Sequence, residues 1–260
     1  MSKQQKIVVF DLDETLGNFI ELGIFCDALE DYNKTKIPPQ HFFQIIDLFH
    51  YFLRPNIINI LVFLTKKRKQ KKCDKIMIYT NNNGPRSWTE NISKYFQYKL
   101  KEKVFDDIIA AFKVNGKQVE ICRTSHEKSV DDLIRCTKIP ENTKICFLDD
   151  QYHPQMKHSN VFYINVKPYT YSYAFNDMAE MYYNKYSSKL MQSEDLTKFK
   201  KHIHGFMSDY NYDVITKEEK EMKVDKVISK KLVHHLKKFL ATSVKTKKKR
   251  KKKNITQKLK

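Results

Sequence analysis

Ile7-Val8-Val9-Phe10-Asp11-Leu12-Asp13-Glu14-Thr15-Leu16 is the stretch whose reading decides the fold. Its first four residues are apolar and mostly β-branched, which predicts a strand buried on both faces. Two carboxylates follow at i and i+2, and a hydroxyl stands two residues further on. An unpaired charge is costly to bury, so Asp11 and Asp13 belong where the strand leaves the core. In an open α/β sheet that end of a strand borders the ligand crevice. Alternate residues of an extended chain point the same way, so Asp11, Asp13 and Thr15 can address one point.

Two later stretches repeat this logic. Lys75-Ile76-Met77-Ile78-Tyr79 leads to Thr80 and the turn-forming run Asn81-Asn82-Asn83-Gly84-Pro85. Lys144-Ile145-Cys146-Phe147-Leu148 leads to Asp149-Asp150. Before the first of them the pattern predicts a helix over Gln40–Phe52, and another opened by Arg54-Pro55 with Ile57, Ile60, Leu61 and Leu64 on one face. A third helix is expected over 86–103, with Ser125 capping the next and His126 facing solvent in its first turn. Ile108–Phe112 and Val119–Cys122 read as strands about an Asn115-Gly116 turn, and Val161–Val166 as a further strand. From Tyr171 the chain reads as helical, Met178, Met181 and Tyr182 covering the sheet. A stripe of Val224, Val227, Ile228, Leu232, Leu236, Phe239 and Leu240 predicts an amphipathic helix over 217–240. Residues after Leu16 show no period up to Pro38-Pro39. Alternating strands and helices predict an α/β fold, a doubly wound parallel sheet with a small insert (17–53) and a helical C-terminal extension (186–244).

The chain of 260 residues carries a net charge of +19, from 49 Lys and Arg against 30 Asp and Glu. Residues 245–260 hold ten of those cations and no acid, about half of the excess. Such a segment cannot bury a core and is expected to be a disordered basic tail, available for localisation or for contact with nucleic acid. No run of 18 apolar residues occurs, nor a positively charged start leading into an apolar segment, so membrane insertion and secretion are not expected. Cys26, Cys73, Cys122, Cys136 and Cys146 form neither an even set nor a CxxC pair, which leads us to expect reduced thiols and an intracellular, cytoplasmic or nuclear location.

Aspartate, any residue, aspartate, any residue, threonine after an apolar strand resembles the first motif of the haloacid dehalogenase superfamily. The string Asp-Leu-Asp-Glu-Thr-Leu is similar to the branch containing the phosphatases that act on the RNA polymerase II C-terminal domain, and so is the Leu-Arg-Pro of residues 53–55. Thr80 matches the second motif and Asp149-Asp150 the fourth, in the right order. The resemblance covers roughly residues 5–185 and implies a phosphatase domain over 1–185. It implies that Asp11 is a nucleophile, that Asp13 is a general acid and base, and that Thr80, Asn81 and Lys128 hold the phosphoryl group. It also implies a Mg²⁺ ion on Asp11, Asp149 and Asp150, with help from the backbone carbonyl of Asp13. For the third-motif cation Lys128 is favoured over Arg123. In the branch the lysine directly precedes an Asp-Leu pair, and that place is held here by Asp131. Lys128, one helical turn earlier, could share its face.

The implied activity is a Mg²⁺-dependent phosphomonoester hydrolase, working on phosphorylated Ser or Thr of a protein. Within the same superfamily the alternative is a nucleotide or polynucleotide-end phosphatase. From a different class, the basic tail suggests a non-catalytic nucleic-acid-binding protein on the same fold. With fewer than 40 residues between Leu16 and Arg54, a small flap or helical lid is expected in place of a full cap domain. An open crevice in a basic protein then favours a phosphate carried by a large anionic partner.

Overall fold

The computed structural model describes residues 4–190, 195–210 and 214–241. In chain order the elements are β1 (Lys6–Phe10), α1 (Ile20–Asn33), α2 (Pro39–Leu48), α3 (Ile57–Lys69), β2 (Lys75–Tyr79), α4 (Arg86–Leu100) and β3 (Asp107–Ile109). A short hairpin comes next, β4 (Lys113–Val114) and β5 (Lys117–Gln118), then α5 (Val130–Thr137), β6 (Lys144–Asp149) and β7 (Val161–Asn165). Three helices complete the described chain: α6 (Phe175–Leu190), α7 (Leu196–Ser208) and α8 (Glu219–Ala241).

Five strands form one parallel sheet in the order β3-β2-β1-β6-β7. β1 lies at its centre and every residue of it is buried, as an apolar run with no polar face requires. Fully burying each of Val8, Val9 and Phe10 is worth about 2 kcal/mol. The odd and even residues serve two cores. Val8 and Phe10 join Ile76, Ile78, Cys146 and Leu148 in the larger one, against helices that include α1, α3, α4 and α6. Ile7 and Val9 join Met77, Tyr79, Ile145 and Phe147 in the smaller one, under Val130 and Leu133 of α5. Helices therefore cover both faces. The chain builds outward from β1 through β2 to β3, then returns to β1's other side with β6. That reversal is the switch point at which such sheets open a crevice.

Several local expectations are corrected. The stretch without a period contains α1, which buries Leu22, Ile24, Phe25, Cys26, Ala28 and Leu29. A helix packed on most of its circumference shows no apolar stripe, so periodicity could not reveal it. Residues 17–53 are built into the main core through these side chains and through Phe42, Ile45 and Ile46 of α2. Pro55 does not open α3, which begins at Ile57 after Asn56 in the left-handed region. Val119–Cys122 forms no strand; the hairpin about Asn115-Gly116 uses only two residues on each side. Ser129, not Ser125, caps α5, accepting a hydrogen bond from the Asp132 N–H at 3.1 Å. His126 and Lys128 thus precede the helix. α6 starts at Phe175 rather than Tyr171, with Met178 and Tyr182 buried and Met181 partly exposed.

The stripe on α8 is also shifted. Val224 and Val227 are exposed, while Asp225 and Ser229 are buried with Leu232, Leu236, Phe239 and Leu240. Asp225 is held by Lys217 at 2.5 Å, a pairing that makes its burial tolerable. Cys122 and Cys136 are joined in a disulfide with their Cα atoms 5.0 Å apart, against the expectation of five reduced thiols. The loop before α5 folds back along that helix, a proximity that the spacing of 14 residues does not announce. Cys26, Cys73 and Cys146 are free and buried. Among the described residues no helix is long and apolar enough to cross a membrane. The basic tail over 245–260 lies outside the described residues.

Candidate active site

Register brings the motifs together. Phe10 lies level with Ile78 on one side and Leu148 on the other. The residues just beyond, Asp11, Tyr79-Thr80 and Asp149-Asp150, therefore emerge side by side. Asp11, Thr80, Asp149 and Asp150 line a crevice of about 540 Å³ at the carboxyl ends of the strands, together with Asp13, Asn81 and Lys128.

Lys128 is its electrostatic centre. The ammonium is buried and donates to Asp11 Oδ1 at 2.5 Å and to Asp149 Oδ2 at 2.7 Å. It reaches them from the residue before the extended Ser129 cap, not from the face of α5. Burial would lower its pKa, but the two carboxylates reverse the direction and hold it raised, so it stays charged. Arg123 lies elsewhere. Its guanidinium donates to the carbonyls of Thr80 and Ala110 and to Asn81 Oδ1, at 3.1, 2.9 and 2.8 Å, and stacks on Tyr79. It braces the β2 turn from behind and contributes no charge to the crevice floor.

The carboxylates differ in their surroundings. Asp11 is pushed up to about 7 by burial, with the charges of Asp149 and Asp13 adding to the effect and Lys128 opposing it. Burial likewise raises Asp13 to about 6, opposed by a 2.7 Å hydrogen bond from Asn82 Nδ2 and by Lys128. The other Asp13 oxygen, Oδ1, is buried without a partner. Asp149 runs the other way. Burial alone would raise it, but His153 and Lys128 hold it below the ordinary carboxylate range. Asp150 is raised by burial and by its neighbour Asp149.

Oxygen atoms of Asp11, Asp149 and Asp150 come within 4.8 Å of one another, a set that fits a hard divalent cation. The carboxylate of Asp13 is not in that set, which leaves it to Asn82. Thr15 does not line the crevice. It is buried behind it and donates to Asp150 Oδ1 at 3.1 Å, steadying that carboxylate. Thr80 does line it, and its hydroxyl oxygen accepts from the Asn82 N–H at 3.0 Å.

Three residues that sequence reasoning passed over help to build the site. Asn82 aims Asp13, and its own carbonyl oxygen accepts from the Gly84 N–H at 2.9 Å. A Cβ at Gly84 would come within 2.8 Å of that side-chain oxygen, so a larger residue there would push the Asn82 amide aside. His153, buried beside β6, bridges Glu127 at 2.9 Å and Asp149 at 3.4 Å. Arg54, also buried, donates to the carbonyls of Thr15, Glu14 and Lys167 at 2.6, 2.5 and 2.9 Å. It clamps the turn in which Glu14 adopts φ of +55°. Gly17 closes the same turn against the Phe52 carbonyl, where a Cβ would sit at 2.5 Å.

Comparison with protein-family models, with curated proteins and with solved structures gave no match for this chain. What stands is the architecture: a parallel α/β sheet whose switch point carries a crevice of four aspartates around one buried lysine.

Proposed function

We propose that this chain is a phosphotransferase-type hydrolase of the haloacid dehalogenase kind, cleaving phosphomonoesters through an aspartyl-phosphate on Asp11. More narrowly, we read it as a phosphoprotein phosphatase. The observation that carries the reading is the contact of the Lys128 ammonium with both Asp11 and Asp149, in the crevice where Asp150 also converges. A structural salt bridge needs one carboxylate. Gathering further acids around it, one with an unpartnered buried oxygen, makes sense where an anion and a cation are to be bound.

In this reading Asp11, Asp149 and Asp150 hold Mg²⁺. When bound, the ion offsets repulsion between a carboxylate nucleophile and a phosphate dianion. Asp11 attacks phosphorus, and the electron pair of the breaking P–O bond passes to the leaving oxygen. Asp13 delivers its proton to that oxygen and so becomes the base for the second half. A water molecule loses a proton to Asp13 and attacks the phosphorus of the acyl phosphate, releasing inorganic phosphate and restoring Asp11. A carboxyl group poised near 6 suits this exchange at neutral pH. Lys128 and the Thr80 hydroxyl steady the equatorial oxygens, where charge spreads in the transition state.

The test is hydrolysis of p-nitrophenyl phosphate by the full chain. Turnover is expected with Mg²⁺ and is expected to vanish with excess EDTA and in Asp11→Asn, which is near-isosteric but no nucleophile. Undiminished turnover in that variant would refute the reading.

A further inference from the structure

The charge of the crevice runs against that of the chain, and this bears on what can enter it. Besides Asp11, Asp13, Asp149 and Asp150 the walls carry Glu14 and Asp27. Lys128 and a divalent cation together carry three positive charges against the five carboxylates left when Asp13 holds its proton, and His153 is committed to Asp149 and Glu127. Glu14 and Asp27 form no ion pair among the described residues. Lys36, whose charge Asp27 feels, is taken by Glu30 at 2.5 Å.

The approach to the phosphate site has a second property. Ile20, Gly23, Ile24 and Asp27 stand at i, i+3, i+4 and i+7 of α1, so one face of that helix forms the wall. Trp88 lies against Gly23, with Pro85 beside it. Ile20 is 47 % exposed on this wall. The wall is thus apolar for about one turn and ends in an acid on the next. It offers little to the hydroxyls of a sugar and repels further phosphates of a nucleotide or a nucleic-acid end.

We propose that the substrate is a phosphorylated peptide segment with an apolar residue beside the phosphorylated one and a Lys or Arg next along. The apolar side chain would lie on Ile20 and Trp88, and the cation would meet Asp27 and Glu14. This inference rests on the phosphatase reading and narrows it. It also separates the substrate from the polyanions that the net charge of +19 suggests. Charge complementarity selects among partners chiefly through encounter and specificity.

The experiment uses the full chain with Mg²⁺ and three phosphoserine peptides that differ at one position, carrying Ile-Lys, Ile-Gln or Ile-Glu after the phosphoserine. AMP is a fourth substrate and p-nitrophenyl phosphate the control. The Lys peptide should exceed the Glu peptide in kcat/KM by tenfold or more, mostly through KM, with AMP last. In Asp27→Asn that ratio should shrink towards one, and in Asp27→Lys it should invert. Equal peptides, a preference for Glu, AMP as best substrate, or a ratio untouched by both variants would overturn the inference. No turnover of the control would instead refute the phosphatase reading itself.

Discussion

Two cavities of about 540 Å³ each lie on either side of the Glu14–Thr15 turn, and they are chemically opposite. One is the crevice, walled by carboxylates. The other sits beneath α8 and is lined by Tyr51, Tyr169, Tyr171, Lys217, Lys226 and Lys230 over an apolar floor. Arg54 stands between them, holding the carbonyls of the turn from behind while lining the second cavity. The difference comes from how each is built. Strand ends in register place short acids at one point, with a buried lysine as their only bonded ammonium among the described residues. In the second, α8 places Lys226 and Lys230 at the rim, where water can solvate them, and Lys217 is paired with the buried Asp225. A chain of strongly basic composition can therefore carry an acidic site, and net charge predicts the surface more than the crevice.

The largest effect expected from breaking this contrast is at Lys128. Lys128→Ala should lower kcat/KM a hundredfold or more, about 3 kcal/mol of transition-state stabilisation. Arg123→Ala removes a brace but no crevice charge, and should cost tenfold or less. Steady-state kinetics on p-nitrophenyl phosphate compares the two, and the reverse ranking would displace Lys128 from its role.

A smaller effect is expected at Asn82. Asn82→Ala frees Asp13 and removes the hydrogen bond that lowers its pKa. Turnover should fall about tenfold through lost positioning. Because Asp13 would then keep its proton to higher pH, the alkaline limb of the kcat/KM profile, which reports the protonated acid of the first step, should move to higher pH. An unmoved limb would separate Asn82 from the proton-carrying carboxyl.

Glu21 tests burial of charge away from both cavities. It is fully buried on α1, accepts from the Tyr173 N–H at 2.9 Å, and is pushed up to about 7 by burial. Its folded pKa exceeds the unfolded value near 4.3, so its contribution to stability is full below that value and lost as pH rises through 7. The chain should lose about 2 kcal/mol from this group between pH 5 and pH 8. Glu21→Gln should flatten that part of the dependence in urea unfolding. The smallest effect belongs to the second cavity: Lys226→Glu with Lys230→Glu should leave turnover of p-nitrophenyl phosphate within about twofold, since exposed charges act weakly at a distance.

Much of the crevice was legible in the sequence because short apolar strands declare themselves, and the polar residues just past each strand end mark the site. Asp11, Asp13, Thr80, Asn81, Lys128, Asp149 and Asp150 do meet in it. Thr15 shares their register yet turns behind the site, because the turn at Glu14 takes it out of the extended pattern. Support residues were harder to read. His153 stands four residues after Asp149 with no helix to give that spacing meaning, and Arg54 reaches the carbonyls of Glu14 and Thr15 only because α1 and α2 fold the chain back between them. α1 was hidden because burial over most of its circumference leaves no apolar stripe, and the Cys122–Cys136 pair because only the fold brings its ends together.

The central claim is that a phosphoryl group passes through Asp11. Mass spectrometry of Mg²⁺-loaded protein, quenched in acid during turnover of p-nitrophenyl phosphate, reads it directly. The account predicts the added mass of one phosphoryl group on the peptide that contains Asp11, absent from Asp11→Asn. Turnover without that adduct, or the adduct on another residue, would contradict it.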